Sequence, residues 1–198
     1  MTGAAFSRER VDDVLTSTKL PESVRIFPRR HLKTPLGVTS GDSRFCAKAD
    51  GFTLLYASGD FATAFVETIV RDRFMREDRR EVLLKEVTER AWALIATSSR
   101  AKLNLLDLRK DGCVRLGAPT DTVRARNHAA GRKFGRAIHS GHEDIDGLLF
   151  SSRLTGGDVC AIFDRAIAKL KATRTGMLPD HPDLARMLST YDIKLIAT

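Results

Sequence analysis

TLLYASGDFATAFVETIVRDRF, residues 53–74, is the stretch from which the rest of the chain is read. Its apolar start ends at Tyr56 as a short strand, Ser58-Gly59-Asp60 makes a turn, and the periodicity beyond predicts a helix over 61–74 that carries Glu67. Ser58 or Asp60 suits the N-cap, since either side chain accepts from the orphan N–H groups of the first turn. Phe61, Phe65 and Ile69 recur at i, i+4 and i+8 as one core stripe, whereas Thr63, Glu67, Val70 and Phe74 share a second, partly apolar face. Glu67 thus lies off the central stripe, and on pattern alone it reads as a solvent-facing helix glutamate.

Upstream, Val11, Val14 and Leu15 predict a short amphipathic helix before Pro21, within an N-terminal extension over residues 1–22. SVRIF (23–27) reads as a strand in which Arg25 points away from Val24 and Ile26, with Ser23 and Phe27. Residues 28–42 hold two prolines and two glycines and read as a loop, followed by Ser43-Arg44-Phe45. Downstream, strands are expected in VLLKEV and AWALIA within 81–97, and at 103–108, 146–150 and 159–163. Helices are expected over 120–139, capped by Thr120 or Asp121 and weakened by Gly131 and Gly135, and over 164–172 and 181–190, before a closing strand at 191–197. Strands that do not alternate strictly with helices predict an α+β, mixed α/β domain over 23–198 rather than a doubly wound parallel sheet.

A chain of 198 residues is enough for one domain that buries about 70 % of its unfolded surface. With 42 % hydrophobic and 7 % aromatic residues it has an ordinary globular composition, and no apolar run approaches a membrane span, so no membrane partner is expected. The opening MTGAAFSRER places Arg-Glu-Arg where a secretion signal needs its apolar centre. Cys46, Cys113 and Cys160 are odd in number and far apart, which argues against a disulfide framework and for a reducing compartment, the cytoplasm.

The net charge of +8 suits a nucleic acid, an acidic protein or an anionic dinucleotide, and charge alone does not separate them. Basic residues gather at Arg29–His31, Arg76–Arg80 and Arg124–Arg136 with Phe134 as the single Phe, Tyr or Trp among them, so nucleic acid is not the expected partner of this chain alone. Neither GxGxxG nor GxxxxGK[ST] is present, which leaves no Rossmann or P-loop nucleotide site. His139-x-x-His142 has no third ligand at a convincing spacing, so no metal is expected, and Trp92 inside an apolar run reads as core.

The residues Leu54–Ser58 followed by Ala62–Glu67 resemble the signature of the RES domain family, named for an Arg, a Glu and a Ser. The resemblance covers about residues 23–165. Arg25 on an early strand and Arg44 ahead of the Leu-Tyr strand match the family's arginines, and Phe150-Ser151-Ser152 matches its aromatic-x-Ser pattern, with Phe where Tyr is usual and Ser151 as a rival to Ser152. Members of that family are typically toxins of bacterial toxin–antitoxin pairs that destroy NAD, with a fold resembling ADP-ribosyltransferases.

The resemblance therefore implies an ADP-ribosyltransferase-like domain that cleaves the nicotinamide–ribose bond of NAD as hydrolase or phosphorylase, with NAD as substrate, no cofactor, and a protein antitoxin covering the site. It implies catalytic roles for Glu67 and Arg25, and NAD contacts from Arg25, Arg44, Tyr56 and Ser152. These residue types suit the chemistry. A carboxylate stabilises an oxocarbenium-like ribose, arginine forks grip pyrophosphate, an aromatic face stacks on a ring, and a serine hydroxyl orients a ribose or phosphate. No His and Asp pair with the serine, so a triad has no support. The alternatives are an ADP-ribosyltransferase that modifies a macromolecule and a non-catalytic basic module that binds nucleic acid or protein.

Overall fold

Two sheets organise residues 6–38 and 40–197, the part of the chain that the structure, a computed structural model, describes. Residues 1–5 of the expected N-terminal extension and Thr39 of the expected 28–42 loop lie outside it. In chain order the elements are α1 (Arg8–Val14), β1 (Leu15–Thr18), β2 (Ser23–Pro28), β3 (Leu54–Ser58), α2 (Phe61–Phe65), β4 (Glu81–Leu83), α3 (Leu84–Thr88), β5 (Arg90–Thr97), β6 (Leu103–Asp107), α4 (Gly112–Leu116), α5 (Asp121–Arg124), α6 (Ala129–Gly141), β7 (Gly147–Ser151), β8 (Asp158–Phe163), β9 (Leu170–Met177), α7 (Leu184–Thr190) and β10 (Lys194–Ile196). The large sheet runs β1-β6-β7-β8-β3-β2-β5-β9 and is antiparallel except between β6 and β7, while β10 pairs with β4 in parallel. This is the mixed α/β class expected from the sequence.

Alternation along the strands sorts the core. Phe27, Leu55, Ala57, Ala91, Ala93, Ile95, Leu105 and Ile162 pack together on one side of the sheet. The other side carries two separate clusters. One packs Leu54, Leu148, Phe150 and Ala161 under α1, α4 and α6; the other packs Val24 and Leu178 under α2 and α7. The gap between these clusters, over the β3–β2 junction, is where a cleft can form.

Several elements differ from the sequence reading for identifiable reasons. The expected N-terminal helix stops at Val14, and Leu15–Thr18 continue as an edge strand on β6. LKEVT, expected as strand, forms α3 instead, so only Glu81–Leu83 pair with β10. The expected 164–172 helix is one 3₁₀ stretch, Asp164–Lys169, before β9 departs along β5. The 120–139 helix is broken into α5 and α6.

Gly131 and Gly135 on α6 are explained by packing rather than by a tendency to break the helix. The backbone at Arg44-Phe45 crosses α6 so closely that a Cβ on Gly131 would overlap the Arg44 carbonyl and one on Gly135 the Phe45 carbonyl. These two glycines thereby set where Arg44 sits. Gly135→Ala is expected to destabilise the fold by about 1–3 kcal/mol through overpacking, read from the denaturant midpoint. An unchanged midpoint would mean that the 44–45 segment is free to move off α6.

Candidate active site

β2 follows β5 along its whole length but pairs with β3 only at Val24↔Ser58. Beyond that bridge the two strands part, and a cleft of about 810 Å³ opens between them, walled also by the α2 segment, residues 42–44 and Arg153-Leu154. Arg25, Arg44, Tyr56 and Glu67 all line it, although they come from two strands, a loop and a helix.

Glu67 is placed by a feature that the periodicity did not reveal. Asp60 caps α2, its Oδ1 accepting from the Thr63 amide at 2.7 Å, but the α-helix ends at Phe65 and Val66–Val70 form a π turn. The Arg71 amide donates to the Val66 carbonyl at 2.7 Å, an i→i−5 bond that takes one extra residue into the turn. Ile69 remains fully buried while Glu67 is half-buried at the cleft wall. The helix expected to reach Phe74 stops here because Arg71 adopts φ +49°, a conformation that a helix cannot continue through.

Ser152, not Ser151, meets Glu67. Its hydroxyl donates to Glu67 Oε1 at 2.6 Å and accepts from the amides of Leu154 and Thr155, each at 3.1 Å. A hydroxyl has one proton and two lone pairs, so these three bonds exhaust it. Ser152 is buried, and the partners of its hydroxyl are Glu67 and these two amides.

The loop between β7 and β8 that carries Ser152 is tied to the α2 segment at two further points. Arg153 Nη2 donates to both Asp72 oxygens at 2.6 Å, and Thr155 shares a hydrogen bond of 3.1 Å with Thr63, itself bonded to Asp60 at 2.9 Å. Gly157 completes the contact, since a Cβ there would overlap Thr63 Oγ1. Arg153 holds the Asp72 carboxyl below its usual range.

Among the described residues, neither of the two arginines singled out from the sequence forms an ion pair with a carboxylate. Arg25 donates to the carbonyls of Pro35 and Gly37 at 2.8 and 2.9 Å and lies over the Phe27 ring at 5.4 Å. Burial lowers its guanidinium to about 10, still protonated at neutral pH. Arg25 shares the Phe27 side of the sheet and borders the cleft only because β2 and β3 diverge. Arg44 donates to the Ala125 carbonyl at 2.7 Å; burial lowers it, and the Glu67 charge opposes that shift. Carbonyls satisfy N–H groups without cancelling charge, so both cations stay available to an anion.

Tyr56 offers its half-buried ring to the cleft, but its hydroxyl is committed, donating to Ser43 Oγ at 3.0 Å and accepting from the Phe45 amide at 3.3 Å. Burial pushes the phenol well above its ordinary value. Tyr56 thereby fixes the segment that bears Arg44. Arg71, Arg90, His128 and Arg153 also line the cleft and were not anticipated. The π turn brings Arg71 there, the β2–β3 divergence uncovers Arg90, and the segments before α6 and after β7 carry His128 and Arg153; none of these placements has a sequence signal. The His139 and His142 rings are separately engaged, one stacked on Phe52 at 4.1 Å and the other 3.1 Å from the Phe6 carbonyl.

Comparison with known proteins places the fold and the family. A probable toxin, y4kH, of Sinorhizobium fredii (strain NBRC 101917 / NGR234) is 39 % identical over 95 residues, which is 48 % of this chain and 75 % of that protein. A chain in the crystal structure of the M. tuberculosis MbcT–MbcA toxin–antitoxin complex superposes with a TM-score of 0.64 at 15 % identity, covering 92 % of this chain and 96 % of that one, so the two share a fold. The family model of the RES domain matches residues 23–185, a span containing Arg25, Arg44, Tyr56, Glu67 and Ser152, and the chain belongs to the RES domain family.

Proposed function

We propose that this protein is the toxin of a toxin–antitoxin pair and acts in the cytoplasm by cleaving the nicotinamide–ribose bond of NAD. The observation that carries the reading is the Ser152–Glu67 hydrogen bond of 2.6 Å at the wall of an arginine-lined cleft. A carboxylate held in one orientation is what an oxocarbenium-like transition state requires, because its charge is aimed before positive charge develops on the ribose. Nicotinamide leaves as a neutral ring from a cationic one, so no strong acid is needed beside it.

In this reading Glu67 faces the ribose and Ser152 keeps it in place. Arg25 and Arg44 hold the pyrophosphate, and the Tyr56 ring stacks on the dinucleotide. Family membership and the two toxin relatives support the toxin role. The M. tuberculosis relative was crystallised as a toxin–antitoxin complex, which supports a protein partner for this chain too. A net charge of +8 favours an acidic face on that partner.

Purified protein incubated with NAD should release nicotinamide; no release from folded protein would overturn the enzyme reading and favour a binding module. Identifying the second product as ADP-ribose, ADP-ribose phosphate or a modified protein separates hydrolase, phosphorylase and transferase.

A further inference from the structure

We propose that Arg71 and Arg90 form a second oxyanion subsite in the cleft, separate from Arg25 and Arg44 and suited to a phosphate group. The charge pattern of the cleft leads to this pair. Arg153 is matched to Asp72, and Arg73 is matched to Glu86 through two bonds of 2.8 and 2.6 Å. Arg25 and Arg44 are committed in part to backbone carbonyls. Arg71 and Arg90 remain. Arg71 uses only Nε, donating to the Glu67 carbonyl at 3.1 Å, and its two terminal nitrogens meet no acceptor among the described residues. Arg90 Nε is buried and has no hydrogen-bond partner among them.

Their placement is built into the fold. Arg90 opens β5 opposite Pro28 of β2, so it stands at the end of the cleft away from the Val24↔Ser58 bridge. Arg71 follows the π turn with φ +49°, a strained backbone that carries its side chain to the cleft wall one turn past Glu67. A buried donor left unbonded is costly, and the two cations repel each other across the cleft, a repulsion that Glu86, already bound by Arg73, offsets only in part. Burial lowers Arg90, and the Arg71 charge lowers it further. A phosphate resolves both costs, because the edge of an arginine presents parallel N–H donors that match two phosphate oxygens. The subsite lies in the cleft of the proposed reaction and deepens that reading, yet its test needs no turnover.

The measurement is the melting temperature of the full chain with inorganic phosphate against chloride at equal ionic strength. Phosphate should raise the wild-type value by about 2–4 °C and leave Arg90→Gln unmoved. The unliganded Arg90→Gln protein should melt at or above the wild-type temperature, because it loses an unbonded buried cation. An arginine with a merely structural role would lower that temperature, and this result would overturn the proposal. So would a phosphate shift that is absent in wild type or retained in full by Arg90→Gln. If Arg90→Gln does not fold, Arg71→Gln at an exposed position decides by the phosphate shift alone: its loss supports the subsite and its full retention overturns it.

Two sources of phosphate are separated by adding saturating ADP. A phosphate shift that persists assigns the subsite to a free phosphate beside the nucleotide; one that disappears assigns it to the nucleotide's own phosphates. Failure of nicotinamide release with an intact Arg90-dependent shift would remove the NAD reading alone.

Discussion

Glu67→Gln is expected to lower the turnover of NAD by about 10²–10³-fold, equivalent to ~3–4 kcal/mol in the barrier, with little change in melting temperature. Gln keeps the length of the side chain, and its amide oxygen can still accept from the Ser152 hydroxyl, which donates at 2.6 Å in the structure. What disappears is the negative charge, so an effect confined to kcat identifies that charge as the group stabilising the transition state. The half-buried setting matters, because a charge partly removed from water acts more strongly on a neighbouring ribose than one fully solvated. Turnover within about twofold of wild type would return Glu67 to the surface glutamate that its pattern suggests. Ser152→Ala should give a smaller loss of the same kind, since it frees Glu67 to change rotamer without removing its charge.

Much of this site was legible in the sequence, but as separate pieces. The Phe61-Phe65-Ile69 stripe, the Asp60 cap and the Tyr56 strand follow from side-chain period and capping chemistry, and each has its counterpart in the fold. Glu67 could not be placed from a 3.6-residue period because the helix switches to a π turn at Val66. The positive φ at Arg71 that ends it leaves no mark on composition. Gly131 and Gly135 illustrate the opposite error. Helix propensity reads them as weak points, whereas the carbonyls of Arg44 and Phe45 occupy the space where their Cβ atoms would be. That contact joins residues far apart in sequence, and local patterns carry no trace of it. The choice between Ser151 and Ser152 likewise depends on loop geometry, which turns the second hydroxyl toward Glu67.

Arg44→Ala and Arg25→Ala are expected each to weaken NAD binding by about 10–150-fold, the loss of one charge-assisted contact of ~1.5–3 kcal/mol. The two should differ in what accompanies that loss. Arg25 spends two nitrogens on the carbonyls of Pro35 and Gly37, so removing it also unties that loop from β2 and should lower the melting temperature. Arg44 spends one nitrogen on Ala125 and otherwise sits beside Glu67, so its loss should fall more on KM and less on stability. Both arginines are held partly out of water and neither forms an ion pair among the described residues, so an incoming phosphate would supply a direct counter-charge. Rising salt should therefore weaken NAD binding to wild type more steeply than to Arg44→Ala, because one phosphate contact is already missing in the variant. If KM, kcat and salt dependence all match wild type while only the melting temperature falls, the arginines hold loops in place and the phosphate clamp lies elsewhere in the cleft.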